Sequence, residues 1–199
     1  MLTVIVTGGI GSGKSAVCAL LAKRGIPVYD SDSRTKALYD SVPGLVKRLE
    51  AALGGCFSLP DGTLDRAALA ALLFSSPQER EKLEEIVYPL VLEDFKAWRD
   101  AQAGPPFVVL ESAIILSKPI FDGIADYVVA VTASEEVRLA RLVERGLTEE
   151  DARRRMASQS QDLSKADVII PNNGTFQTLS RRVGRVFFSK NSYICRLEE

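Results

Sequence analysis

The chain of 199 residues contains no histidine. That absence excludes catalytic triads built on imidazole, phosphorelays that pass through histidine, and metal sites with histidine ligands. A general base in this protein must therefore be a carboxylate, a lysine, a tyrosine or a thiolate.

Cysteine, net charge and long apolar runs are also scarce. The three cysteines, Cys18, Cys56 and Cys195, form no C-x-x-C pair, which argues against a disulfide framework or a zinc site. A formal charge of −1 provides no basic field for nucleic acid. No stretch approaches the length of a membrane span, and the first residues lack the pattern of a secretory signal. These features predict a single-domain cytoplasmic enzyme or switch that binds neither nucleic acid nor membrane.

The most informative feature that is present is a glycine-rich run, TGGIGSGKSA, at residues 7–16. Gly8, Gly13, Lys14 and Ser15 meet the phosphate-loop pattern G-x-x-x-x-G-K-[ST]. A buried-strand pattern precedes the run and a helical pattern follows it, which is the context that the motif requires. In that context the loop N–H groups bind phosphate, the lysine reaches the β- and γ-phosphates, and the serine hydroxyl ligates Mg²⁺. One alternative is a glycine-rich turn with a chance lysine; a dinucleotide loop is excluded because no G-x-G-x-x-G is present.

Two acids, Asp30 and Asp32, follow a second predicted strand at residues 26–29. A strand that runs parallel to the first after a right-handed crossover ends at the same edge of the sheet as the phosphate loop. We therefore expect both carboxylates at that edge. The alternative, which position alone favours to the same degree, is that one of these acids or a neighbouring serine serves only as the N-cap of the helix that follows.

Further strands are predicted at Phe107–Leu110, residues 125–134 and residues 166–174. The first of these ends in Glu111, an arrangement typical of the nucleotide-binding carboxylate that helps to hold Mg²⁺, although many strands end in an acid. Strands that alternate with helices predict an α/β fold, with a parallel sheet covered by helices on both faces. Residues 33–100 show only helical patterns, which suit either a wall for an acceptor substrate or plain packing helices.

A helical hairpin between the last two predicted strands is rich in arginine. The arginines are Arg138, Arg141, Arg145, Arg153, Arg154 and Arg155. Guanidinium groups beside a phosphate loop indicate a mobile lid that clamps phosphates. The alternative is a solvated hairpin with Glu–Arg pairs.

Among nucleotide-binding classes, a small-molecule kinase fits best. A GTPase switch requires an N-K-x-D motif, which is absent. A mechanical or DNA-handling ATPase is disfavoured by the small size and the lack of a basic face. Another nucleoside- or nucleotide-type kinase and a nucleotide-sensing regulator remain as alternatives.

Four segments together resemble the dephospho-CoA kinase family and span most of the chain. They are VTGGIGSGKSAV, GIPVYDSDSRTKALY, RLARLVERGLTEEDARRRMASQ and ADVIIPNNGT. The resemblance implies a P-loop nucleotide-kinase fold that uses ATP, with Mg²⁺, to phosphorylate the ribose 3′-hydroxyl of dephospho-coenzyme A. It further implies a core at about 1–32, 105–134 and 166–199, a helical acceptor-binding region at about 33–104, and a lid at about 135–165.

The resemblance also assigns roles to particular residues. By that resemblance Asp32 matches the proposed base and Arg141 a lid arginine at the phosphates, and we expect Asn172 and Asn173 near the adenine. We expect the phosphate cradle to comprise Gly9, Gly11, Ser12, Gly13, Lys14, Ser15 and Ala16, with Ser15 and Glu111 at the metal.

This chain departs from the family pattern in three places. Many members have threonine at Ala16, so a hydroxyl near the phosphates is missing here. Many have His-Pro in place of Tyr88-Pro89, and an acid in place of Ser117. The last two changes affect the expected acceptor side.

Overall fold

The computed structural model describes residues 1–159, 163–189 and 194. These residues form one parallel five-stranded sheet in the order β2-β3-β1-β4-β5. The strands are β1 (Leu2–Thr7), β2 (Val28–Asp30), β3 (Phe107–Glu111), β4 (Tyr127–Thr132) and β5 (Val168–Pro171). The predicted parallel α/β fold is confirmed. Cys195 and residues 160–162 of the predicted lid lie outside the described residues.

The central strands are buried because they are almost entirely apolar. Val4, Ile5 and Val6 in β1 are at most 1% exposed, and Val108 and Val109 in β3 are fully buried. Such runs are stable only where both faces of a parallel sheet are covered. Their apolar side chains form the core that holds the strand ends in place.

Strand register brings polar residues together at the carboxyl edge of the sheet. Strand β3 lies between β1 and β2, so that Glu111 is the register partner of both Val6 and Asp30. The sequence predicts parallel strands, but it does not predict that β3 lies between β1 and β2. The acid nearest to the end of β1 is consequently Glu111.

The chain divides into two compact units, one of residues Met1–Asp30 and Gln102–Glu199, the other of Ser31–Ala101. The described helices of the first unit are α1 (Lys14–Ala22), α6 (Glu135–Glu144), α7 (Glu149–Ala157) and α8 (Phe176–Phe188). Short 3₁₀ helices lie at Ile115–Ser117 and Pro119–Phe121. Side chains of Ser134, Thr148 and Thr175 cap α6, α7 and α8, as these residue types do at helix N-termini.

The second unit contains α2 (Ser31–Ser41), α3 (Leu45–Leu53), α4 (Arg66–Ser75) and α5 (Pro77–Asp100). Asp65 caps α4, and Ser76 caps α5 with Pro77 at its first position, as these residue types do at helix starts. The Tyr88-Pro89 pair lies inside α5. Burial and the neighbouring Glu84 carboxylate raise the pKa of the Tyr88 phenol.

Strand β2 differs from its predicted bounds for a local reason. The Ile26 N–H donates to the Leu21 carbonyl at 3.2 Å and so closes the end of α1. The Pro27 carbonyl accepts the Val109 N–H of β3 at 2.9 Å, but Pro27 has no N–H to donate, and the first register pair with β3 is Val28 with Val109. The strand therefore occupies Val28–Asp30 rather than residues 26–29, and α2 begins immediately afterwards at Ser31.

No described helix is both long enough and apolar enough to cross a membrane.

Candidate active site

The glycine-rich run forms a loop between β1 and α1. Gly13 occupies the N-cap of α1 with φ 101°, and Gly11 has φ 79°. Both are left-handed conformations that favour glycine. Because Gly13 has no side chain, the first N–H groups of α1 receive no cap from it, and a helix N-terminus of this kind binds anions.

The same glycines are also required by their protein neighbours. A Cβ at Gly11 would lie 2.9 Å from the backbone oxygen of Arg138, and one at Gly13 would lie 2.2 Å from Nδ2 of Asn172. The sequence explained these glycines only by their access to phosphate. The structure adds that α6 and the end of β5 pack directly against the loop.

Lys14 and Ser15 are the polar side chains at the start of α1. The Lys14 ammonium donates to the Gly8 carbonyl at 2.7 Å, so it reaches across the mouth of its own loop. The Ser15 hydroxyl donates to Oε1 of Glu111 at 2.7 Å. Hydroxyl and carboxylate oxygens are the donors that Mg²⁺ prefers, so this pair fits the predicted metal site. No three acidic, histidine or cysteine side chains converge among the residues described, so Mg²⁺ would take further oxygens from phosphate and water.

The remaining residues of the phosphate cradle form hydrogen bonds that fix the conformation of the loop. The Gly9 carbonyl accepts the Ser12 N–H at 3.1 Å, and the Ala16 N–H donates to the Gly13 carbonyl at 3.1 Å. The Ser12 hydroxyl is buried and has no hydrogen-bond partner in the described structure. A buried hydroxyl without a hydrogen-bond partner inside the loop is consistent with a polar ligand that binds there.

Cys18 is a further member of this site that sequence reasoning missed. It follows Ser15 by one helical turn, and its thiol lies beside Glu111. Burial, reinforced by the Glu111 charge, raises the pKa of this thiol. The thiol therefore stays protonated and acts as a weak donor behind the carboxylate.

Arg138 and Arg141 of α6 turn toward the phosphate loop. Nε of Arg138 donates to the Ile10 carbonyl at 2.8 Å, and burial lowers the pKa of this guanidinium. Nη1 of Arg141 donates to the carbonyls of Gly11 and Ser12, at 3.1 and 3.2 Å. These contacts bring both arginines to the loop, where the predicted contact of Arg141 with phosphate stays a prediction.

Arg153 and Arg154 of α7 behave differently. Arg153 pairs with Glu135 and Glu149, at 3.0 and 2.8 Å, and Arg154 pairs with Asp151. All of these side chains are largely exposed, and such surface pairs contribute little to stability. For these two arginines the contacts match the solvated-hairpin alternative.

The asparagines after β5 tie the loop to its surroundings. Asn172 is buried, and its Nδ2 donates to the Ser12 carbonyl at 2.8 Å. Oδ1 of Asn173 accepts the Ser134 N–H at 2.8 Å, at the start of α6. Oε1 of Gln159 likewise accepts the Ile10 N–H at 2.8 Å, a contact that no sequence pattern indicated. The expected position of Asn173 near the adenine remains a prediction.

The predicted base, Asp32, belongs to the second unit. It lies in the first turn of α2 and is exposed. Only Ser31 separates it from Asp30, the last residue of β2. Its role at the reaction centre remains a prediction.

The matching family model and the curated relatives name one family. The family model described as dephospho-CoA kinase matches residues 2–178. The dephospho-CoA kinase of Geobacillus kaustophilus is 35% identical over 188 residues, which cover 92% of this chain and 93% of that protein. The enzyme of that name from Corynebacterium glutamicum is 38% identical over 192 residues, covering 94% and 96%. A crystal structure from Thermus thermophilus superposes with a TM-score of 0.80 at 32% identity, over 94% of this chain and 96% of that one.

Proposed function

Because this chain belongs to the dephospho-CoA kinase family, we propose that it uses ATP to phosphorylate the ribose 3′-hydroxyl of dephospho-coenzyme A. The products are coenzyme A and ADP, and the reaction is the last step of coenzyme A synthesis. The observation that carries the proposal is the phosphate loop at the start of α1, with Lys14 across its mouth and the Ser15–Glu111 pair beside it. A kinase of this kind is expected in the cytoplasm, where ATP is available.

The donor half of the reaction rests on the loop and on Lys14. Loop N–H groups and the N-terminus of α1 bind the β- and γ-phosphates. The Lys14 ammonium, which here donates to the Gly8 carbonyl, exchanges that partner for phosphate oxygens. Charge that develops on the β–γ bridging oxygen is thereby stabilised as the bond to ADP breaks.

Ser15 and Glu111 are the residues that would hold Mg²⁺. The Ser15 hydroxyl already donates to the Glu111 carboxylate at 2.7 Å, so both side chains are directed to the same position. When bound, the ion neutralises charge on the β- and γ-phosphates.

For the acceptor half we assign the base to Asp32. With no histidine in the chain, a carboxylate is the group best suited to take the proton of the ribose hydroxyl. As the new O–P bond forms, the proton passes to Asp32 and ADP leaves with the bridging oxygen. Since phosphoryl transfer has a loose transition state, orientation of the hydroxyl contributes more than full deprotonation.

The test is coupled ADP release by the purified protein with ATP, Mg²⁺ and a series of acceptors. We expect turnover with dephospho-coenzyme A and little with adenosine, AMP or other ribose compounds. The product should match authentic coenzyme A by mass and retention. Faster turnover of adenosine or AMP would assign the chain to another nucleoside- or nucleotide-type kinase. ATP binding without consumption of any acceptor would favour a nucleotide-sensing regulator.

A further inference from the structure

Three consecutive carbonyls of the phosphate loop accept hydrogen bonds from side chains outside the loop. The Ile10 carbonyl accepts from Arg138, the Gly11 carbonyl from Arg141, and the Ser12 carbonyl from both Arg141 and Asn172. We call the side chains of Arg138, Arg141 and Asn172 the loop brace.

The loop brace is itself held by the core of the first unit. Nη2 of Arg141 donates to the backbone carbonyl of Asn172 at 2.8 Å, and the Asn172 N–H donates to the Thr132 carbonyl at the end of β4. Asn172 is only 5% exposed. Two adjacent strands and α6 therefore fix the donors that reach the loop.

Peptide geometry gives these contacts a consequence for phosphate binding. In a trans peptide the C=O and the N–H point in opposite directions. A carbonyl bonded on one side of the loop thus directs the N–H of the next residue to the other side. Since Ile10 and Ser12 have their carbonyls bonded to the brace, the N–H groups of Gly11 and Gly13 face away from it. A loop carbonyl that rotated inward would instead meet the phosphate with its negative end.

We infer that Arg138, Arg141 and Asn172 are positioning residues, which set the peptide orientation of the phosphate loop for nucleotide binding. This inference rests on the nucleotide-binding part of the proposed function and concerns no acceptor. It gives Arg141 a role through the loop, distinct from contact with the transferring phosphoryl group. A positioning role acts on ADP and ATP alike, because the loop holds the phosphates that both share.

The experiment measures the affinity for ADP and for ATP by calorimetry, together with kcat, for Arg141→Lys, Asn172→Ala and the double variant. A lysine ammonium cannot span the carbonyls that one guanidinium fork reaches, so its substitution should break the brace. We expect each single variant to bind both nucleotides about tenfold more weakly. The fold-loss of nucleotide affinity in the double variant should be smaller than the product of the two single fold-losses, because both side chains donate to the Ser12 carbonyl. Arg185→Lys, an exposed arginine of α8, is the matched control and should bind as the unaltered chain does.

Several outcomes would overturn the inference. Unchanged ADP affinity with a lower kcat would assign Arg141 to direct contact with the transferred group. A lower melting temperature with unchanged affinity would mean that the brace only stabilises the fold. If Asn172→Ala does not fold, Asn172→Ser and Arg138→Lys provide the same comparison, and unchanged ADP affinity in both would refute the proposal. Failure of the unaltered protein to bind ADP would overturn the proposed function and this inference together, whereas binding that no brace variant alters would overturn the inference alone.

Discussion

Replacement of Lys14 by alanine removes one positive charge from the mouth of the phosphate loop. In the structure its Nζ lies 2.7 Å from the Gly8 carbonyl oxygen, which places the ammonium at the mouth of the loop. A unit charge 3 to 5 Å from a phosphate charge, at an effective dielectric constant of about 20, contributes about 3 to 5 kcal/mol. The corresponding loss in kcat/KM is about 10²- to 10⁴-fold.

The fold should tolerate this change. The lost hydrogen bond to Gly8 is charge-assisted and partly buried, which corresponds to about 1.5 to 3 kcal/mol of the free energy of unfolding. Domains commonly have a free energy of unfolding of about 5 to 15 kcal/mol, so the loss should leave the protein folded. Denaturant titration measures the change directly. The assay is coupled ADP release over a range of ATP concentrations, with circular dichroism as the check on folding.

Lys23→Ala is the matched control for Lys14→Ala. Lys23 is an exposed lysine at the C-cap of the same helix, so its loss removes an equal charge at the end far from the loop. It should retain full turnover. If Lys14→Ala turned over at the rate of the unaltered enzyme, the assignment of the loop to nucleotide phosphates would be refuted.

Three further predictions concern the remaining residues of the site. Asp32→Asn should lower kcat with saturating ATP and dephospho-coenzyme A by about 10²-fold, the low end of the 10²- to 10⁴-fold that a general base contributes, because the transition state is loose. The loss should exceed that of Asp30→Asn, and the reverse order would show that the base is misassigned. Ser15→Ala and Glu111→Gln should each raise the Mg²⁺ concentration for half-maximal activity, and less than additively when combined, whereas strictly additive effects would separate the two ligands. Because burial raises the pKa of its thiol, Cys18 should resist iodoacetamide at pH 8 until the protein is denatured, whereas the exposed Cys56 should react in the native protein. Peptide mass spectrometry separates the two sites, and alkylation of Cys18 in the native protein would contradict its burial.

The parts of the fold that follow local rules could be predicted from the sequence. The phosphate loop and the buried strand that ends in Glu111 each depend on a few neighbouring residues. Strand order does not. Only pairing between distant residues places β3 between β1 and β2, and this pairing makes Glu111 rather than Asp30 the carboxylate hydrogen-bonded to Ser15.

The arginines show a second limit of sequence patterns. Spacing of three and four residues places Arg138 and Arg141 on one face of a helix, but it does not say what that face meets. In the structure they contact the loop, while Arg153 pairs with acids of its own hairpin. The difference lies in tertiary contacts, which side-chain spacing alone does not encode.

The loop brace also explains why a phosphate-loop pattern is not sufficient for a phosphate site. A loop rich in glycine loses more conformational entropy on ordering than any other kind, so alone it would sample many peptide orientations. Here the donors that hold it are Arg138, Arg141 and Asn172, which lie 128, 130 and 160 positions along the chain from their acceptors. The pattern supplies a backbone that is free to adopt the binding conformation, and the distant side chains select that conformation. A phosphate loop moved to another protein without such donors should accordingly bind nucleotide weakly, even with every residue of the pattern intact.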